Sequence, residues 1–188
     1  VAMTLPTFTA PTGKTCNWYT ATSGGTNLGG SGASYTPAAT SASAITVYLQ
    51  CTNNTYTIGY ALNNGAYGTN HPTAGTYGTA LQINNPSKTV TVTGDANSTG
   101  ASIGAAVSKA QTFAGWTADS NLSTSTAKHG TASTSVTTAW SNKDTKVTAQ
   151  YFTDLRAAAG TVTLTANWTP VAMTLPTFTA PTGKTCNW

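Results

Sequence analysis

Residues 161–166 read Thr-Val-Thr-Leu-Thr-Ala, a strict alternation of polar and apolar side chains. A period of two places alternate side chains on opposite faces of a β-strand. Similar short runs, bounded by Gly, Asn, Pro or Ser, occur at residues 45–49 (ITVYL), 56–60 (YTIGY), 89–93 (TVTVT) and 146–151 (KVTAQY). Short alternating runs between turn residues are typical of half-buried strands. The chain is therefore predicted to be mainly β.

Residues that favour helices are scarce. Gly and the β-branched Thr and Val are abundant, whereas Leu and Lys are few and Glu is absent. This composition disfavours helices and favours strands. A single helical turn is most plausible at residues 103–109 or 153–159.

An eighteen-residue segment, VAMTLPTFTAPTGKTCNW, occurs twice. Residues 1–18, here called the first copy, are identical to residues 171–188, the second copy. Residue 171 repeats residue 1, which sets a period of 170 residues. The favoured interpretation is a tandem array, in which each unit contacts mainly its neighbours. The alternative is an artefact that copies one end of the chain onto the other.

The surface is predicted to be polar but nearly uncharged. Only 6% of residues are charged, against roughly 25% in ordinary domains. The net charge of +4 comes from scattered Lys and Arg with no basic cluster, which argues against nucleic-acid binding. No stretch approaches the roughly 20 apolar residues of a membrane span. Such a surface suits a secreted protein that packs against copies of itself.

The cysteines are Cys16, Cys51 and Cys186, and Cys186 is Cys16 of the next period. Each period therefore has two cysteines. In an extracellular chain this number favours one disulfide, Cys16–Cys51, which closes a loop of about 35 residues. The alternative is two buried thiols that do not meet.

Two modules and the start of a third are predicted. A Trp-containing strand is followed by an aromatic- or Cys-terminated strand twice in each period. Residues 1–51 form the first module, residues 55–168 a larger module with inserted strands, and residues 171–188 open the next period. The short connections between them indicate a semi-rigid array.

The sequence resembles a known family in LPTFTAPTGKTCNWYTATSGGTNLGGSGASYTP, in ITVYLQC, in YTIGYALNNG (residues 56–65), in FAGW (113–116) and in LTANW (164–168). These motifs are similar to the Listeria–Bacteroides repeat, also called the internalin B-repeat. The resemblance is loose over residues 68–111 and 118–145. Asn17 replaces the Gly that precedes Trp in the family, and Cys51 replaces the closing Trp.

The resemblance implies small β-grasp-like, strand-rich modules in an extracellular bacterial protein, used as a stalk or interaction repeat. It also implies that the first and last strands of a module are neighbours, so that Cys16 and Cys51 could meet. Trp18, Trp116 and Trp168 fall in the family motif and are expected to anchor the module cores.

No catalytic or cofactor site is predicted. His71 and His129 are far apart in loops, whereas a metal site needs clustered ligands. Only four Asp and no Glu are available for acid–base chemistry, and no nucleophile elbow, phosphate loop or dinucleotide fingerprint occurs. We therefore expect no enzyme activity, no metal and no cofactor.

Some surface residues are candidates for contact or modification. Trp140 lies outside the family motif and, with Tyr67 and Tyr77, is a candidate exposed aromatic contact. Candidate glycosylation sites are Asn53, Asn97, Asn121 and Asn167, each in an Asn-x-Ser/Thr sequon.

The sequence thus predicts a structural segment of a bacterial cell-surface or extracellular protein, a stalk or fibre that associates end to end with copies of itself. One alternative is an adhesin whose repeats bind a host glycan or protein. Another is the subunit of a filament with strand pairing between chains.

Overall fold

The computed structural model describes residues 1–38, 44–97 and 99–188. Over these ranges the chain forms seventeen β-strands and no helix, which confirms the mainly β prediction. Both predicted helical turns are wrong. Val107–Ala110 is a strand whose backbone bonds a neighbouring strand. Asp154 has a φ of 55°, which a right-handed helix does not accommodate.

A small antiparallel sheet forms within the first 53 residues. Its central strand β2 lies between β3 and β5, while β1 and β4 form a separate pair. The bounds are β1 (Met3–Thr4), β2 (Lys14–Tyr19), β3 (Asn27–Gly29), β4 (Ser34–Tyr35) and β5 (Tyr48–Asn53). The β2–β5 register places Cys16 opposite Cys51, and a disulfide joins them.

Two four-stranded sheets contribute to the main core. The first has the spatial order β12 (Thr112–Ala118), β16 (Thr161–Thr169), β6 (Thr55–Ala61) and β7 (Ala74–Thr76). The second has the order β14 (Thr138–Ala139), β13 (Lys128–Gly130), β15 (Tyr151–Thr153) and β8 (Leu81–Gln82). One apolar cluster combines side chains from both sheets.

Strand β16 is central to this core. It pairs in parallel with β6 and antiparallel with β12. Its alternation works as predicted, because Val162, Leu164 and Ala166 are fully buried on one face. The rest of the cluster comes from Tyr56 and Ile58 of β6, from Phe152 of β15, and from Trp116, Trp140 and several aliphatic side chains.

A third region joins distant parts of the chain. Residues 88–111, here called the ribbon, contain β9 (Thr89–Val92), β10 (Ser102–Ile103) and β11 (Val107–Ala110). Strands β9 and β11 pair with each other. Strand β10 pairs with β17 (Phe178–Thr179), which belongs to the second copy. The second copy therefore docks on a ribbon of its own chain, an arrangement that the sequence did not suggest.

Candidate functional site: the duplicated segment

Both copies of the duplicated segment form the same set of internal contacts, although their strands differ. The indole Nε1 of Trp18 donates to the Pro6 carbonyl at 2.9 Å, and Trp188 donates to the Pro176 carbonyl at 2.9 Å. Each indole also meets a phenylalanine ring edge-on, with centroids 5.7 Å apart in the first copy and 5.6 Å in the second. The eighteen residues therefore encode their own local fold.

The turn before Cys16 is also repeated. Lys14 donates its backbone N–H to the Pro11 carbonyl at 3.1 Å, and Lys184 donates to the Pro181 carbonyl at the same distance. The turn glycines, Gly13 and Gly183, have φ angles of 76° and 77°. Glycine adopts this left-handed backbone conformation without the steric cost that a Cβ atom imposes.

The first copy is held on several sides. Leu5 is only 6% exposed, and its N–H donates to the Ala33 carbonyl at 2.8 Å. Cys16 is buried and bonded to Cys51. Strand β2 forms ladders with both β3 and β5. The first copy is thus an integral part of the sheet within residues 1–53.

A compact joint links the first copy to the main core. The ring of Tyr77 lies against Gly13 in the space that a Cβ would occupy. Asn54 donates its backbone N–H to the Gly13 carbonyl at 2.8 Å and accepts at its own carbonyl from Tyr77 at 2.8 Å. Its side-chain amide donates to the Ala157 carbonyl at 2.7 Å. These bonds fix the first copy against strands of the larger unit.

The second copy has fewer partners. Its contacts with the ribbon include the β10–β17 pairing, a 2.7 Å bond from the Gly104 N–H to the Thr177 carbonyl and a 2.9 Å bond from Lys109 Nζ to the Ala172 carbonyl. The Trp188 ring also lies against Gly94, beside the Ile103 side chain. Leu175 is 55% exposed and Trp188 is 49% exposed. No atom lies within 4 Å of the Cβ position at Gly183.

Cys186 is a free, partly exposed thiol. It lines an open groove of about 360 Å³ between the ribbon and the second copy, together with Asp95, Asn97, Phe178 and Trp188. The identical cysteine of the first copy is buried in a disulfide. The same cysteine position is therefore a buried disulfide in the first copy and a partly exposed free thiol in the second copy.

The other motif tryptophans take different positions. Trp116 is 1% exposed in the core. Trp168 is partly buried against it, and its Nε1 donates to the Leu62 carbonyl at 3.0 Å. Trp18 is half-buried on β2, the central strand of its small sheet, and is not part of the main apolar cluster.

The suggestion of an exposed contact at Trp140 is wrong. Trp140 is 1% exposed, and its ring centroid lies 5.8 Å from that of Phe152. It belongs to the main apolar cluster, where a tryptophan removes a large apolar area from water. Tyr77 is half-buried on Gly13. Tyr67 is 53% exposed, and its ring stacks on His71 with centroids 4.4 Å apart. The three residues do not form one exposed patch.

The candidate glycosylation sites differ in their surroundings. Asn53, Asn97 and Asn121 are exposed. The Asn167 amide is half-buried, and its Nδ2 donates to the Gly115 carbonyl, Thr117 Oγ1 and the Thr165 carbonyl, each at 3.1 Å. Such an amide is poorly placed to accept a glycan, whereas the first three sites stay predictions.

Several charged side chains make hydrogen bonds or ion pairs within the chain. Asp154 accepts from the Gly78 N–H at 2.5 Å, and Lys143 with Asp144 forms the one ion pair among residues 1–38, 44–97 and 99–188. Burial lowers the pKa of His129.

The described part of the chain contains no group of three His, Cys, Asp or Glu side chains that could hold a metal ion. Nor do these residues form a helix long and apolar enough to cross a membrane.

Comparison with known proteins leaves the duplicated segment as the main guide to function. No protein-family model matches the chain, and no curated protein or solved structure matches it.

Proposed function

We propose that the chain is a structural repeat segment of a bacterial extracellular or cell-surface protein, acting as a stalk or fibre and associating end to end with copies of itself. The observation that supports this most is that one eighteen-residue sequence occurs twice, 170 residues apart, and forms the same Trp–Pro hydrogen bond and Phe–Trp ring pair in both places. A unit that recurs with its own local structure is what a tandem array requires.

The small sheets are proposed to be tandem β-grasp-like modules in an extended array. The tight contact of Tyr77 and Asn54 with Gly13 supports limited motion between the first module and the second. A disulfide in the first module is compatible with an oxidising, extracellular location. The low charge density favours contact with further copies.

An adhesin that binds host glycan or protein is a weaker second candidate. The observation in its favour is the exposed Tyr67 ring stacked on His71, since an exposed aromatic face suits contact with a sugar or peptide. Burial of Trp140 removes the larger aromatic patch that this function would use.

The stalk proposal is tested by small-angle X-ray scattering of proteins that contain one, two or three 170-residue periods. We expect the maximum dimension to rise by equal increments, because each period adds a semi-rigid unit. A maximum dimension that stays nearly constant would show that the periods collapse onto one another and would contradict a stalk.

Two tyrosine variants provide the matched control. Tyr77→Ala removes the ring from the joint and should shorten each increment by increasing bending. Tyr67→Ala removes an exposed ring elsewhere and should leave the increments unchanged. Equal scattering curves for both variants would exclude a stiffening role for the joint.

A further inference from the structure

The sheet within residues 1–53 contains a built site for the sequence of the second copy. Strand β5 and the Ala33 region hold the first copy through five ladder pairs (residues 14–18), a disulfide and the burial of Leu5. The second copy has the same residues at every position from Val171 to Trp188. It therefore presents the side chains that this site already accommodates, up to the position of Trp18.

The second copy would gain contacts in that site. Leu175 is 55% exposed on the ribbon, whereas its counterpart Leu5 is 6% exposed. Cys186 is a free thiol, whereas its counterpart Cys16 is bonded to Cys51. Gly183 faces open space, whereas Gly13 faces the Tyr77 ring. Each difference marks a group that is unpartnered in one copy and partnered in the other.

We infer that residues 171–188 of one molecule replace residues 1–18 of another molecule of the same protein. This inference rests on the proposed end-to-end association. The incoming strand pairs with β5, and a Cys186–Cys51 disulfide links the two chains. The first copy that is displaced from the receiving molecule has the same sequence as the second copy that left the ribbon of the donor molecule. It can therefore bind the ribbon of the donor molecule. Because a different surface is used on each molecule, the contact is head to tail and can continue along a fibre.

The covalent step is a thiol–disulfide exchange and needs no oxidant. The Cys186 thiolate attacks Sγ of Cys51, a new S–S bond forms, and the Cys16–Cys51 bond breaks. Cys16 leaves as a thiolate and takes up the proton that Cys186 released. The numbers of disulfides and thiols stay the same. Cys51 is exposed whereas Cys16 is buried, so the sulfur under attack is the accessible one.

The experiment mixes ¹⁵N-labelled and unlabelled protein at increasing concentration and maps disulfides by mass spectrometry without reduction. Trypsin cleaves after Lys14, Lys88 and Lys184, so Cys186 falls in the tetrapeptide TCNW, and Cys16 and Cys51 both fall in residues 15–88. Further cleavage with chymotrypsin after Trp18 separates Cys16 from Cys51 and shows which of them is bonded to Cys186. We expect a TCNW peptide bonded to residues 15–88 in mixed isotope pairs, in amounts that rise with concentration.

Three substitutions sharpen the result. Cys186→Ser should abolish the linked peptide. Leu175→Asn changes a side chain that is exposed on the ribbon but buried in the new site. It should lower the linked fraction about tenfold, the effect of about 1.4 kcal/mol. Thr174→Asn is the matched control, because Thr174 is exposed on the ribbon and its counterpart Thr4 is exposed in that site; it should leave the linked fraction unchanged.

Several outcomes would overturn the inference. One such outcome is complete alkylation of Cys186 in native monomers at every concentration. Another is a Cys186–Cys186 disulfide, which indicates simple oxidation of exposed thiols. Linkage without mixed isotope pairs would place the bond within one chain. The scattering experiment on tandem periods does not depend on Cys186, so failure of strand exchange and failure of the stalk proposal are distinguishable.

Discussion

The two copies of the duplicated segment differ in their surroundings and agree in their internal structure. Both form the Trp–Pro hydrogen bond and the edge-on Phe–Trp pair with nearly equal dimensions. Leu5, however, is buried, whereas Leu175 is exposed. Local interactions therefore determine the shape of the segment, while the partner strand determines how much of it is buried and how strongly it is held.

The difference has an energetic meaning. A leucine side chain removed from water contributes about 1.5–3 kcal/mol, and a disulfide over a loop of 35 residues contributes a similar or larger amount. The first copy has both contributions and the second has neither. We expect the second copy to open from the ribbon more readily than the first copy opens from its sheet.

Removing the disulfide should produce the largest effect. Replacement of both Cys16 and Cys51 by serine is expected to destabilise the first module by about 4 kcal/mol, the loop-entropy value for 35 residues. Cys186→Ser should leave stability unchanged, since this thiol has no bond. Hydrogen exchange of the β2 and β5 amides measures both. Equal protection in the two variants would contradict the contrast between the copies.

Truncating the matched leucines should give the next largest difference. Leu5→Ala creates a cavity and is expected to cost about 3 kcal/mol in the free energy of unfolding. Leu175→Ala removes an exposed side chain and should change it by less than about 0.5 kcal/mol. Urea unfolding followed by far-ultraviolet circular dichroism reports both. A large loss from Leu175→Ala would show that the second copy is buried in solution.

The sequence predicted those features that depend on neighbouring residues. Alternation in residues 161–166 predicted a strand, and Val162 and Leu164 are indeed buried on one face. The even number of cysteines in each period predicted the bond between Cys16 and Cys51, which the structure contains. Both inferences rest on residue patterns that do not require knowledge of the tertiary fold.

Features that depend on distant partners could not be predicted. The parallel pairing of β6 with β16 joins residues about 100 positions apart and follows from packing of the whole core. Burial of Trp140 depends on segments that match no motif. The state of the second copy is the clearest case, because an identical sequence has different burial in two surroundings. Sequence alone assigns both copies the same environment.

Alkaline titration should separate the main core from both copies, neither of which contains a tyrosine. Burial raises the pKa of Tyr56 to about 12, and burial also raises the pKa of Tyr60. The unfolded chain ionises near pH 10, so it binds fewer protons than the native state at higher pH. The contribution of these tyrosines to stability should be constant below about pH 10 and fall as pH rises towards 12.

The Tyr56 contribution to this loss is expected to be about 2–3 kcal/mol. The Tyr56 hydroxyl is buried without a hydrogen-bond partner, so Tyr56→Phe should fold and lose less stability over this range. Urea unfolding at pH 9, 10, 11 and 12 provides the comparison. The same pH dependence in wild type and variant would show that Tyr56 ionises equally in both states.

The turn glycines should give the smallest contrast and the most specific one. Gly183→Ala places an alanine at positive φ in open space and should cost about 1 kcal/mol. Gly13→Ala has the same backbone cost and must also displace the Tyr77 ring, so we expect about 2 kcal/mol. In a Tyr77→Ala background the two substitutions should cost the same, because Tyr77→Ala removes the ring that Gly13→Ala would displace. Urea unfolding of Tyr77→Ala, and of Gly13→Ala and Gly183→Ala in both backgrounds, measures the cycle. A difference that persists without the ring would place the strain in the first copy itself rather than at the joint.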